Sequence, residues 1–298
     1  MLRKKVLLTR MTRTMRCVMK LFAAVAAVLC AGAAAFAADN PDVKKFTFSN
    51  DVEVYAIRDK DTTMKSSLFT DYTKASSLKK EDLKKEYPAS VNCFVLRAKL
   101  KTFLIDAGNY DPKGSLVTKL ASVNIRPKAI DYILITHLHP DHVGGLIDKD
   151  GGAVFPNAKV YVSYDEWKHW SPIIEKQKPT EILRQFSDAY KGRIQTMNTG
   201  EPVVYAMKAP GHTPGHSFFR QGRLRFVGDI VHAVDLQIGH PEYCASFDMN
   251  QKQAYQTRLS FLENMSKEGN IVFGAHIPFP GVGYIIKTET GYRFEPYK

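Results

Sequence analysis

Polar and apolar residues alternate along 46–55 around a Ser49-Asn50 turn, the mark of a β-hairpin. Residues 62–87 are mostly polar, with Leu68, Phe69, Tyr72, Leu78 and Leu83 as scattered apolar positions. They are expected to form one or two short helices or a loop arm lying over the domain. Residues 91–98 and 102–105 read as paired strands ending in Asp106-Ala107-Gly108, followed by a helix over 115–123. Residues 130–135 form an apolar run that reads as a buried strand. A strand over 159–162 precedes helices over 165–170 and 180–190. Further strands are expected at 203–207, 271–273 and 282–286, and a hairpin joins 217–220 to 224–227 through Gln221-Gly222. Residues 250–265 give the clearest helix, with Tyr255, Leu259, Leu262 and Met265 on one face. Strands dominate each half and helices follow them, which fits an α/β chain of two packed sheets with helices outside.

The first 37 residues break this pattern. They hold seven Lys or Arg and no acidic residue, then an apolar Ala-rich run of 17 residues over 21–37. Ala35-Phe36-Ala37 supplies the small residues a signal peptidase reads, so 1–37 is expected to be a signal peptide and Ala38 the new N-terminus. An uncleaved anchor stands second, because 17 residues are short of the roughly 20 that span a bilayer. A lipoprotein at Cys30 stands third, since the preceding Leu29 is bulky. The expected location is therefore secreted or periplasmic, with the signal as the membrane contact. The net charge of +12 falls to +5 without the segment, from 35 basic and 30 acidic residues. That weakens a nucleic-acid partner. Cys93 and Cys244 remain and read as free buried thiols.

Chemistry concentrates after the 130–135 strand, at His137-Leu138-His139-Pro140-Asp141-His142. Three imidazoles and a carboxylate within six residues are costly to bury without partners, and they form a donor set suited to a borderline-soft divalent cation. His212 after Pro210-Gly211, Asp229 after Gly228, and His276 after Gly274-Ala275 each follow an apolar strand. Strand ends meeting on one rim would gather five His and two Asp, enough for two metals sharing a carboxylate. The glycines are expected to let backbone and metal approach closely.

The order His137-x-His139-x-Asp141-His142, His212, Asp229, His276 resembles the metallo-β-lactamase superfamily over most of the chain from residue 91. The segments around His212, Asp229 and His276 look most like the exported methyl-parathion-hydrolase and lactonase branch. The resemblance implies a four-layer αβ/βα sandwich over 91–298, with 38–90 as an N-terminal hairpin and arm packed on it. It implies two divalent metal ions, zinc in first place. His137, His139 and His212 would hold one and Asp141, His142 and His276 the other, with Asp229 bridging and Asp106 supporting a ligand His from behind. It also implies a hydroxide held between the metals as nucleophile, with Asp141 and Asp229 at the reacting centre, and hydrolysis of a lactone, ester or organophosphate triester. Family similarity alone suggests a homodimer.

His216, His232 and His240 read as hydrogen-bonding neighbours of the site or core residues, and His169 as a surface residue. Phe279, Trp167 and Trp170 are candidates for an apolar pocket holding a small-molecule substrate. Other readings stay open: a mononuclear-iron persulfide dioxygenase-like enzyme, a β-lactam hydrolase, a nuclease, or a metal-binding protein without catalysis. Glyoxalase II shares the seven ligands but carries a C-terminal helical region, for which the 22 residues past His276 leave no room.

Overall fold

Fold and site were read from a computed structural model, which describes residues 40–79, 83–176, 181–197, 203–267 and 269–298. The expected signal segment 1–37 and its cleavage point lie outside these residues. So do residue 180 of the helix expected over 180–190 and residues 80–82 of the arm. Among the described residues, no helix is long and apolar enough to cross a membrane.

The first sheet is built from β1 (Val43–Ser49), β2 (Val52–Lys65), β4 (Glu86–Ala98), β5 (Lys101–Ile105), β6 (Tyr132–Leu134), β7 (Lys159–Ser163) and β8 (Ile194–Met197), in the order β1-β2-β4-β5-β6-β7-β8. Its first four strands run antiparallel, and β5 to β8 pair in parallel. The second sheet runs β15 (Tyr292–Pro296), β14 (Val282–Lys287), β13 (Ile271–Phe273), β11 (Leu224–Phe226), β10 (Ser217–Gln221), β9 (Tyr205–Lys208).

Why the central strands lack alternation follows from the layers. On β4, Cys93 and Val95 point away from the second sheet, into a core with α1 (Ser115–Ser122), α3 (Tyr164–Glu175) and α4 (Glu181–Ala189). Phe94 and Leu96 point the other way, against Phe226 and Phe273 of the second sheet. Both faces of such a strand are dry, so both parities are apolar. Val272 then turns to a third core under α6 (Gln251–Met265), whose Phe261, Leu262 and Met265 cover the far face. The result is the helix-sheet-sheet-helix sandwich expected from the sequence. Cys93 and Cys244 are free and buried.

Three expectations are corrected. The division at residue 90 falls inside β4, and β1 and β2 belong to the same sheet as the strands after it; residues 40–298 form one compact unit. The first part of the 62–87 arm is strand, not helix. β2 pairs with β4 out to Lys65↔Glu86, and β3 (Phe69–Asp71) pairs with β12 (Tyr243–Ala245). Those β2 positions are largely solvated, so they lack the apolar periodicity that would betray a strand. On α6, the buried face is Ala254, Arg258, Phe261, Leu262 and Met265, turned one position from the expected one. Tyr255 instead meets Tyr72 of the arm, with ring centroids 5.9 Å apart.

Candidate metal centre

Every metal-type donor lies just past the C-terminal end of a strand, where α/β sheets place their ligands. From the first sheet, β6 leads into Thr136-His137, and Pro140 opens the short helix α2 (Pro140–Val143), which presents Asp141 and His142. From the second sheet, β9 leads to His212, β11 to Asp229 and β13 to His276. The structure brings all seven together. His137, His139, His212 and Asp229 form one potential ion-holding group, and Asp141, His142 and His276 another.

Asp229 faces both. Its Oδ2 lies 3.2 Å from His212 Nε2 and 3.6 Å from His137 Nε2. Its Oδ1 lies 3.1 Å from His142 Nε2 and 3.2 Å from His276 Nε2. His139 Nδ1 sits 3.0 Å from His137 Nε2 and 2.9 Å from His212 Nε2. On the other side, Asp141 Oδ2 is 3.5 Å from His276 Nε2. His142 Nε2 and Asp229 Oδ1 are buried without a hydrogen-bond partner. Buried polar atoms are rarely left so, and two of them facing each other among further donors fit a divalent cation.

Three of the remaining ring nitrogens are tied from behind, as ligand imidazoles require. His142 Nδ1 donates to Asp106 Oδ2 at 2.8 Å, His276 Nδ1 to the Ser90 carbonyl at 3.0 Å, and His212 Nδ1 to Asp248 Oδ1 at 2.9 Å. Asp106 also accepts from the Thr136 amide and hydroxyl, and it holds φ +52, a costly conformation for a non-glycine residue. His216 accepts from the Asp229 amide at 2.9 Å while donating to the Ala209 carbonyl. His232 donates to Asp229 Oδ2 at 3.0 Å and forms a third close group with Asp229 and His276.

Charge in this cluster is sharply divided. Burial alone would raise the Asp229 carboxyl, but His276, His142, His137 and His212 around it hold it well below the usual carboxylate range. Burial opposes a proton on His142 as well, yet Asp229, Asp106 and Asp141 push it well above the usual histidine value. His212 is raised to about 9 against its own burial, by Asp229 and Asp248. Burial, then the neighbouring imidazoles, lower His139 to about 4 and His216 to about 3.

Glycines beside the donors also pack backbone against protein. A Cβ on Gly211 would meet the Ala254 amide of α6 at 2.2 Å, and one on Gly228 would meet His216 Nε2 at 2.6 Å. Both hold positive φ.

Two buried carboxylates escaped the sequence reading. Asp248 lies two residues before Asn250, the cap of α6. Glu166, fully buried, accepts from the Leu138 amide (2.9 Å), Trp170 Nε1 (2.7 Å), Thr213 Oγ1 (2.7 Å) and the Gly215 amide (3.0 Å). It thus cross-links the loop between His137 and His139 to the loop after His212. Its one sequence signal is an acid within an otherwise amphipathic helix. Glu166→Ala strands four donors, so a loss of about 3 kcal/mol or more is expected, read as a lowered unfolding midpoint in denaturant.

Trp170 stands beside His139, with ring centroids 5.8 Å apart, whereas Trp167 packs on the outer core. Phe279 lies under the Arg58 guanidinium and lines a cavity of about 640 Å³ that contains none of the seven donors. Phe247, unforeseen in the sequence, is 36% exposed and sets its ring 4.7 Å from His232 and 5.9 Å from His212.

The metallo-beta-lactamase superfamily model matches residues 87–276. The chain belongs to that superfamily. Among solved superfamily structures, the hydrolase AbOPH aligns with TM-score 0.73 and 29% identity, over 88% of this chain and 99% of that one. AidC, described as a dizinc quorum-quenching lactonase, aligns with TM-score 0.72 over 86% of this chain and 97% of its own, and at 24% identity it shows the fold alone. Sequence relatives cover less. The uncharacterized protein YobT of Bacillus subtilis (strain 168) is 30% identical over 139 residues, which is 45% of this chain and 58% of YobT. The exodeoxyribonuclease WalJ of Streptococcus pneumoniae serotype 2 is 34% identical over 93 residues, 30% of this chain and 34% of WalJ. This chain therefore spans under two thirds of each of these two relatives. Fold and donor set together are those of a metal-dependent superfamily hydrolase.

Proposed function

We propose that the chain is an exported hydrolase using two divalent cations, zinc in the first instance, to cleave lactones, carboxylic esters or organophosphate triesters of small, largely apolar molecules. One observation carries this reading: Asp229 turns one carboxylate oxygen towards His137 and His212 and the other towards His142 and His276. A carboxylate so divided suits a bridge between two ions. Two cations held there would lower the pKa of a water towards neutrality and polarise the substrate's carbonyl or phosphoryl oxygen.

The residues themselves supply orientation and proton transfer. Asp229 is anchored by His216 at its amide and by His232 at Oδ2, so its carboxylate cannot swing away. Facing both donor groups, its carboxylate is placed to take a proton during attack and pass it to the leaving oxygen. Trp170 beside His139 and Phe247 beside His232 and His212 give the donor cluster aromatic walls. Such walls favour a neutral substrate with an alkyl or aryl group over a polyanion. AbOPH and AidC, a hydrolase and a lactonase, are consistent with this class.

Elemental analysis of the purified protein, beside a panel of acyl-homoserine lactones, aryl esters, paraoxon-like triesters and a chromogenic cephalosporin, tests the reading. Two metal ions per chain and turnover of at least one lactone, ester or triester are expected. A single iron with persulfide oxidation, or turnover of the cephalosporin alone, would overturn it. Mass analysis of the exported protein should find Ala38 at its N-terminus.

A further inference from the structure

Arg258 is the largest fully buried side chain in the described residues, at 1% exposure, and it is a cation on the apolar face of α6. A guanidinium is not buried without full use of its donors. Nε donates to the Ile230 carbonyl at 2.8 Å, one residue past Asp229. Nη1 donates to the Pro241 and Tyr243 carbonyls at 2.7 and 3.2 Å. Nη2 lies 3.5 Å from Asp248 Oδ2. Asp248 Oδ2 also accepts from the Ala245 amide at 2.9 Å, which leaves Oδ1 for His212 Nδ1 at 2.9 Å. One side chain, remote from substrate, thus fixes the loop behind the bridging Asp229 and the carboxylate behind His212.

We propose that Arg258 and Asp248 are positioning residues for the metal centre: Asp248 locks His212 with Nε2 turned to the first cation, and Arg258 holds both Asp248 and the Ile230 carbonyl beside Asp229. This rests on the dinuclear reading above. The two residues then have different signatures. Asp248 serves His212 alone, so its loss weakens one cation. Arg258 serves His212 and Asp229 together, so its loss weakens both. Lysine cannot substitute, since a point charge cannot reach three carbonyls and a carboxylate in one fork.

The test is titration of metal-free protein with Co2+, followed by visible absorption and by competition with a chromophoric chelator, for wild type, Asp248→Asn and Arg258→Lys. Wild type should bind two ions. Asp248→Asn should bind one of them about 10- to 100-fold more weakly, with only that ion's absorption band altered, and Arg258→Lys should weaken both ions. A 1H–15N spectrum of zinc-loaded wild type needs no variant and guards against misfolding: His212 should carry a slowly exchanging, low-field Nδ1–H. Wild-type affinities and bands in both variants, or a His212 lacking Nδ1–H, would overturn the inference while leaving the dinuclear reading intact. Fewer than two Co2+ in wild type would instead sink the dinuclear reading.

Discussion

Asp229→Asn is expected to bind at most one cation tightly and to lose about 4 kcal/mol of transition-state stabilisation, roughly a thousand-fold in kcat/KM. Asparagine keeps the shape and one acceptor oxygen. It loses the charge that His137, His142, His212 and His276 face, at 3.1 to 3.6 Å. It also turns an NH2 towards one pair of those nitrogens, which is repulsive when they are protonated and useless to a cation when they are not. Fold should survive, because the Asp229 amide still reaches His216. Steady-state kinetics and metal content of the same preparation check this. Full turnover with two ions bound would show that the carboxylate does not bridge.

Chelation should have the second largest effect, on stability. A ligand present at about a thousand times its Kd stabilises the folded state by about 4 kcal/mol, so stripping the ions should lower the melting temperature by on the order of 10 °C. The metal-free protein should also depend on pH through His212, raised from the usual 6.5 to about 9. A raised folded-state value means the folded protein binds the proton more tightly than the unfolded chain does. That stabilisation is complete below about 6.5 and is lost as pH climbs through 9. The same proton must leave when a cation binds, so between these values metal uptake should release protons. Calorimetry in buffers of different ionisation enthalpy measures that release. Equal heats at pH 8 in every buffer would contradict it.

How much of this the chain announced depends on the kind of residue. The donors in 137–142 were legible because burying imidazoles and carboxylates so close together has few explanations besides a cation. His212, Asp229 and His276 were legible by their place after apolar runs, since a strand end is where a sheet displays side chains. Central strands such as β4 showed as unbroken apolar stretches, and their two-sided burial in the sandwich explains why. The far part of β2 did not show, because it is solvated and its partner lies across the arm. Glu166, Asp248 and Arg258 were invisible for another reason. An acid or a guanidine in an amphipathic helix, or before one, reads as surface until its partners, up to 49 positions away, are in place.

Neither half of the sandwich supplies either donor group alone. His137 and His139 come from one sheet and His212 from the other, while Asp141 and His142 are answered by His276, 134 positions further along. With two cations bound, the centre would act as a rivet through the seam. A nascent or unravelled chain offers only the run 137–142 and three separate donors, and closing loops so long comes late in folding. On the dinuclear reading, cation loading would thereby proofread assembly: sheets that had not met in register would bind no ions and would stay inert.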